Sequence, residues 1–105
     1  MQVTTGQCLS VARLSRPIGC FPTQSYGRTD DGRAIYVRYR HGHLTVQVAR
    51  DTVEHGVHGP ETFAFDDGSG NGCVEDLDEW RNMLSPAMDL PAVFGAYDPR
   101  DNPEI

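Results

Sequence analysis

The sequence predicts an α+β domain: a three- or four-stranded antiparallel β-meander with one C-terminal amphipathic helix packed across it. Three observations carry this expectation. Residues 34–49 hold two runs of alternating apolar and polar side chains around His41-Gly42, the pattern of a β-hairpin closed by a two-residue turn. Glu61-Thr62-Phe63-Ala64-Phe65 alternates again, with both Phe side chains inward. From Cys73 the period changes, because Cys73, Leu77, Trp80 and Leu84 stand at i, i+4, i+7 and i+11, with Val74 and Met83 beside them. That spacing marks one face of an α-helix.

Along the chain, Cys8 to Leu14 fits either a short helix or a strand, and Pro17 and Pro22 punctuate the next stretch. Gln24–Thr29 can add a strand to the hairpin through the turn signal Asp30-Asp31-Gly32. A two-residue loop there would set Arg28 opposite Ile35, which leaves that register open. If His41 and Gly42 are the turn of the main hairpin, the facing pairs are 40/43, 39/44, 38/45, 37/46, 36/47, 35/48 and 34/49. Ile35, Val37 and Tyr39 then share a face with Leu44, Val46 and Val48, while Tyr36, Arg38 and Arg40 face outward with Gln47, Thr45 and His43. Residues 53–60 read as a loop and 66–72 as a glycine-rich turn. The helix runs to Ser85-Pro86, with Glu75, Asp76, Asp78 and Glu79 in its first two turns, where the helix dipole favours acids. Residues 1–85 form a single domain on this reading, and residues 86–105 a Pro-rich acidic tail, partly extended and anchored by Leu90, Val93, Phe94 and Tyr97.

A length of 105 residues supports one core, and 38% hydrophobic residues fit a globular chain rather than a disordered one. No apolar run is long enough to span a bilayer, and Met1–Thr5 lacks the basic and apolar regions of a secretory signal, so the expected address is the cytoplasm. All nine basic residues are Arg. Residues 1–50 carry seven Arg against two Asp, or +5, and residues 51–105 carry two Arg against thirteen acids, or −11, which sums to the net −6. Either the halves pair their charges or the surface is bipolar. A −11 segment repels phosphate, which disfavours direct binding of nucleic acid.

Motifs of catalysis are lacking. Cys8, Cys20 and Cys73 are an odd count without C-x-x-C spacing, which suggests neither a disulfide framework nor a thiolate zinc site, and Cys73 reads as a small core residue. Ser69 does not complete a Gly-x-Ser-x-Gly elbow, because Asp67 stands at the first Gly position. His41, His43, His55 and His58 crowd into one stretch and could supply a zinc site, although surface histidines beside glycine turns are common.

The segment Asp67-Gly68-Ser69-Gly70-Asn71-Gly72-Cys73-Val74-Glu75-Asp76-Leu77-Asp78 resembles a calcium-binding EF-hand-type loop. Asp67, Ser69, Asn71, Glu75 and Asp78 place oxygens at loop positions 1, 3, 5, 9 and 12, with Gly72 at the turn position 6. The resemblance implies a calcium-binding adaptor with those five residues as ligands. It departs from the family in Ser at position 3, Asp at position 12, Glu79 immediately after the loop and the lack of an entering helix. Dockerin-like modules also use such a loop with only an exiting helix and with Asp at the last position. The competing reading is a glycine-rich strand-to-helix connection capped by Asn71 or Gly72.

The leading expectation is a small acidic, non-enzymatic, cofactor-free protein-binding module. Its expected contact residues are Tyr36, Arg38 and Arg40 on the outward hairpin face, since Tyr and Arg dominate binding hot spots, together with Glu75, Asp76, Asp78 and Glu79 on the helix. In size and charge alone the chain resembles phage-encoded inhibitors of host defence, including anti-CRISPR proteins. That resemblance implies a nucleic-acid-binding effector as partner, its basic groove blocked by the acidic residues.

Overall fold

The computed structural model describes residues 2–5, 9–20, 22–51, 59, 61–68, 70 and 72–97. The strands are β1 (Gln2–Thr5), β2 (Leu9–Leu14), β3 (Thr23–Thr29), β4 (Ala34–Arg40), β5 (His43–Val48), β6 (Glu61–Asp66) and the two-residue β7 (Met88–Asp89), with one helix, α1 (Leu77–Leu84), before β7. They form one sheet in the order β1-β6-β5-β4-β3-β2-β7, antiparallel except for the parallel pairing of β2 with β7.

The β4–β5 hairpin has the register that its alternation predicts, from Arg40 opposite His43 to Ile35 opposite Val48. His41 and Gly42 both have positive φ, 54° and 74°, the conformation that matches a two-residue turn to the twist of its strands. Ile35, Val37, Tyr39, Leu44, Val46 and Val48 are all buried on one face. β3 pairs with β4 so that Arg28 lies opposite Ala34 and Gly27 opposite Ile35. The connection is therefore longer than two residues. In it the Thr29 hydroxyl and then the Arg33 guanidinium hold the Asp31 carboxyl below its ordinary range; this group is fully exposed and contributes little to stability.

The expected three- or four-stranded meander with an amphipathic helix across it is overturned. Among the described residues the chain is mostly sheet, curled into a half-barrel, with one short helix. Length is one reason: eight helical residues span only about 12 Å, roughly the width of two to three strand spacings. Such a helix cannot cover this sheet, so the sheet curves to enclose its own core. The bend between β2 and β3 shows how. Their register slips between Val11 and Arg13, bringing Leu14 opposite Gly27, and a Cβ on Gly27 would stand 2.2 Å from the Arg13 carbonyl oxygen. Only glycine allows so close a crossing.

The helix also starts later than its apolar period suggests. Cys73 and Val74 are not helical, because the Val74 amide donates to the Thr23 hydroxyl at 3.0 Å, which in turn donates to the Gly72 carbonyl at 3.0 Å. The cap is Asp76 rather than Asn71 or Gly72, and its carboxylate accepts from the amides of Asp78 and Glu79. Trp80 and Leu84 are buried, whereas Leu77 is 45% exposed in the first turn. Asp76→Ala should cost about 1 kcal/mol and Asp76→Ser much less, as read from the midpoint of urea unfolding.

Of the segment expected as a tail, residues 86–97 lie along the sheet. β7 pairs with Leu9 and Ser10 of β2, the Gly95 amide donates to Leu14, and Phe94 is buried in the core. Arg81 holds this stretch to α1: its guanidinium donates to the Pro91 and Ala92 carbonyls and lies 4.8 Å from the Phe94 ring centre. Val93, expected as an anchor, is 77% exposed. Among the described residues no helix is long and apolar enough to cross a membrane, and every buried side-chain polar atom has a hydrogen-bond partner.

Candidate functional site

Curling leaves a gap between β6 and the helix. On β6, Phe63 and Phe65 point to the core side, Phe63 buried and Phe65 half-buried. Across from them α1 presents Met83, also half-buried, followed by Pro86. These four side chains floor a groove of about 430 Å³, and Asp76, Asp78, Glu79 and Asn82 line its rim. A cavity of this size and apolar floor is typical of ligand-binding clefts. The two rim acids beyond the cap, Asp78 and Glu79, have no side-chain partner among the described residues. Asp76 is partly committed, since its carboxylate caps the helix.

Local sequence sets these positions. Alternation on β6 puts both Phe side chains on one face, while the Asp76 cap starts the helix so that Asp78 and Glu79 fall in its first turn, where the dipole stabilises negative charge. Trp80 is the anchor: its indole Nε1 donates to Ser25 Oγ at 2.8 Å deep under the sheet, with both residues fully buried.

The expected contact residues are thus divided. Asp76, Asp78 and Glu79 meet at the groove. Glu75 does not; its carboxylate lies beside Cys20 and Cys73, the three ligand atoms all within 4.8 Å of one another. Arg38 and Arg40 remain on the convex face, Arg38 half-buried and Arg40 exposed. Tyr36 is only 6% exposed. Its ring packs 5.3 Å from that of Tyr26, which meets Tyr97 at 5.7 Å, and the Tyr36 and Tyr26 hydroxyls both donate to Gln24 Oε1. It is therefore a packing residue of the convex face, closed off by the C-terminal segment.

Of the calcium-loop residues, Asp67 accepts a hydrogen bond from the Tyr39 hydroxyl, and Asp67, Glu75 and Asp78 do not converge among the described residues. Ser69 and Asn71 lie outside the described residues, as do His55, His58 and Cys8. Cys20 and Cys73 form a disulfide, Cα atoms 4.4 Å apart and 53 residues apart in sequence. This corrects both the expectation that the cysteines suggest no disulfide and the reading of Cys73 as a small core residue of the helix face. While the bond is intact neither sulfur is a thiolate, so the neighbouring Glu75 does not complete a metal site.

Sequence reasoning missed the groove floor as a site. Phe63, Phe65 and Met83 all carried core signals, and the missing information was which strand or helix would leave them uncovered. The chain matches no protein-family model, no curated protein and no solved structure.

Proposed function

We propose that the protein is a non-enzymatic protein-binding module whose groove between β6 and α1 receives a basic, apolar-anchored segment of a nucleic-acid-binding partner. The observation that carries this reading is the pairing of an apolar floor (Phe63, Phe65, Met83) with a rim of acids, Asp78 and Glu79, that have no side-chain partner among the described residues. An apolar side chain of the partner fills the floor, and flanking Arg or Lys side chains meet the rim. The rim belongs to the half of the chain with net charge −11, which draws basic surfaces by long-range attraction. A surface evolved to hold phosphates is the natural match, and occupying it would block nucleic acid, the mode of action of a phage-type inhibitor.

The cytoplasmic address is part of the same proposal. In a reducing compartment the Cys20–Cys73 pair would be held largely as dithiol, and the segment leading to Asp76 would lose its covalent tie.

Selection from a displayed random-peptide library tests the reading. Peptides joining Arg or Lys to Leu, Phe or Met should be enriched. Their affinity should fall at least about tenfold with Asp78→Arg/Glu79→Arg and weaken steeply with added salt. Enrichment of acidic peptides, or equal binding by the charge-reversed variant, would overturn it.

A further inference from the structure

On the opposite face of the sheet, the tip of the β4–β5 hairpin forms a second and chemically contrary site. Arg38 and Arg40 project outward two residues apart on β4; across from them on β5 stand Thr45, opposite Arg38, and His43, opposite Arg40. The turn adds His41, held at positive φ. Together the five side chains line a depression of about 370 Å³, and no carboxylate is among its described lining residues. In a chain with fifteen acids against nine Arg, neither guanidinium has a carboxylate partner among the described residues. Asp66, opposite His43 on the next strand, has its carboxylate 4.0 Å from His43 Nδ1, on the side of the depression away from Arg38 and Arg40 along the pairing direction. On the other flank, Gln24 is opposite Arg38, but its carbonyl oxygen already accepts from Tyr26 and Tyr36.

We propose that Arg38 and Arg40, with Thr45 and the two histidines, bind a phosphoryl group of a small phosphorylated ligand. Two planar guanidinium forks on one strand face offer parallel pairs of N–H donors that suit the oxygens of a phosphate, and the Thr45 hydroxyl supplies a further donor between strands. The depression is larger than phosphate alone requires, so part of the ligand beyond the phosphoryl group also sits in it. Charge selects the size of the ligand. The site lies in the half of the chain with net charge +5, on a protein of net charge −6, so a long polyanion feels the repulsion of the whole molecule more than a single phosphoryl group does. The site is independent of the β6–α1 groove, since it lies on the other face of the sheet and shares no residue with it.

Amide NMR titration of the full chain tests this, using inorganic phosphate against sodium chloride at matched ionic strength. Saturable shifts are expected at the amides of residues 38–45 with phosphate and not with chloride. Arg38→Gln/Arg40→Gln should weaken the response at least about tenfold while leaving the rest of the spectrum, and so the fold, in place. A nucleoside monophosphate should bind more tightly than inorganic phosphate because of the spare volume. Shifts no larger than those with chloride, shifts that persist in the double variant, or a single-stranded oligonucleotide binding more tightly per phosphate than the monophosphate would each overturn the proposal.

Discussion

Reduction of the Cys20–Cys73 disulfide is expected to remove about 4 kcal/mol of stability, the chain-entropy value for a cross-link closing a loop of this length. A domain of this size is stabilised by only about 5–15 kcal/mol in total, so the loss is a large share. The bond joins the turn before β3 to the segment before α1, and the same two segments are also tied by Thr23, whose hydroxyl bonds to Gly19, Gly72 and Val74. That second tie keeps native contacts available when the bond is cut, which is why reduction should lower the urea midpoint without abolishing folding. Cys20→Ser and Cys73→Ser should each reproduce the loss, and reductant should then have no further effect on either variant. Equal midpoints with and without reductant would show that the cross-link constrains nothing in the unfolded chain.

The hairpin was legible because three signals agreed: binary pattern, turn length and turn chemistry all select the register seen for β4 and β5. Strand β6 was legible from its Phe alternation. By contrast β2 was ambiguous for a physical reason. Its register shift between Val11 and Arg13 leaves Val11 and Leu14 both buried in the core although they are three residues apart, and i, i+3 spacing is also a helical signal. The helical period places the start of α1 too early for a related reason, since Cys73 is in phase with Trp80 and the apolar Val74 stands beside it, yet they are held by a disulfide and a Thr23 hydrogen bond rather than by a helical turn. As for the site, the acids of the rim could be read as a charged helix start, and Tyr36 as an exposed contact. Neither the uncovering of Phe65 nor the covering of Tyr36 by its neighbours Tyr26 and Tyr97 can be read from local pattern. Both depend on how far the sheet curls, which is set by non-local contacts such as the approach of Arg13 to Gly27.

Trp80→Ala is expected to cost about 3–5 kcal/mol, the usual range for deleting a fully buried large aromatic side chain. Trp80 is 0% exposed, and its indole reaches under the sheet to Ser25 on β3. Truncation opens a cavity and removes the donor that Ser25 Oγ accepts from, at a position where water cannot substitute freely. Separating these two effects requires the smaller change Trp80→Phe, which keeps most of the apolar volume and loses the N–H. Its cost should be partly relieved by adding Ser25→Ala, giving a coupling of about 1 kcal/mol in a double-mutant cycle. The protein has a single Trp, so the parent is followed by fluorescence and the variants by circular dichroism. Function should fail alongside stability, because Trp80 and Leu84 are the buried side chains that fix α1 against the sheet, and α1 carries Asp78 and Glu79 to the groove. At a temperature where Trp80→Phe remains folded, peptide binding by the groove should be retained, while Trp80→Ala should lose it even under stabilising conditions that keep the sheet intact. Binding that survives Trp80→Ala would mean that the rim acids act without a fixed helix.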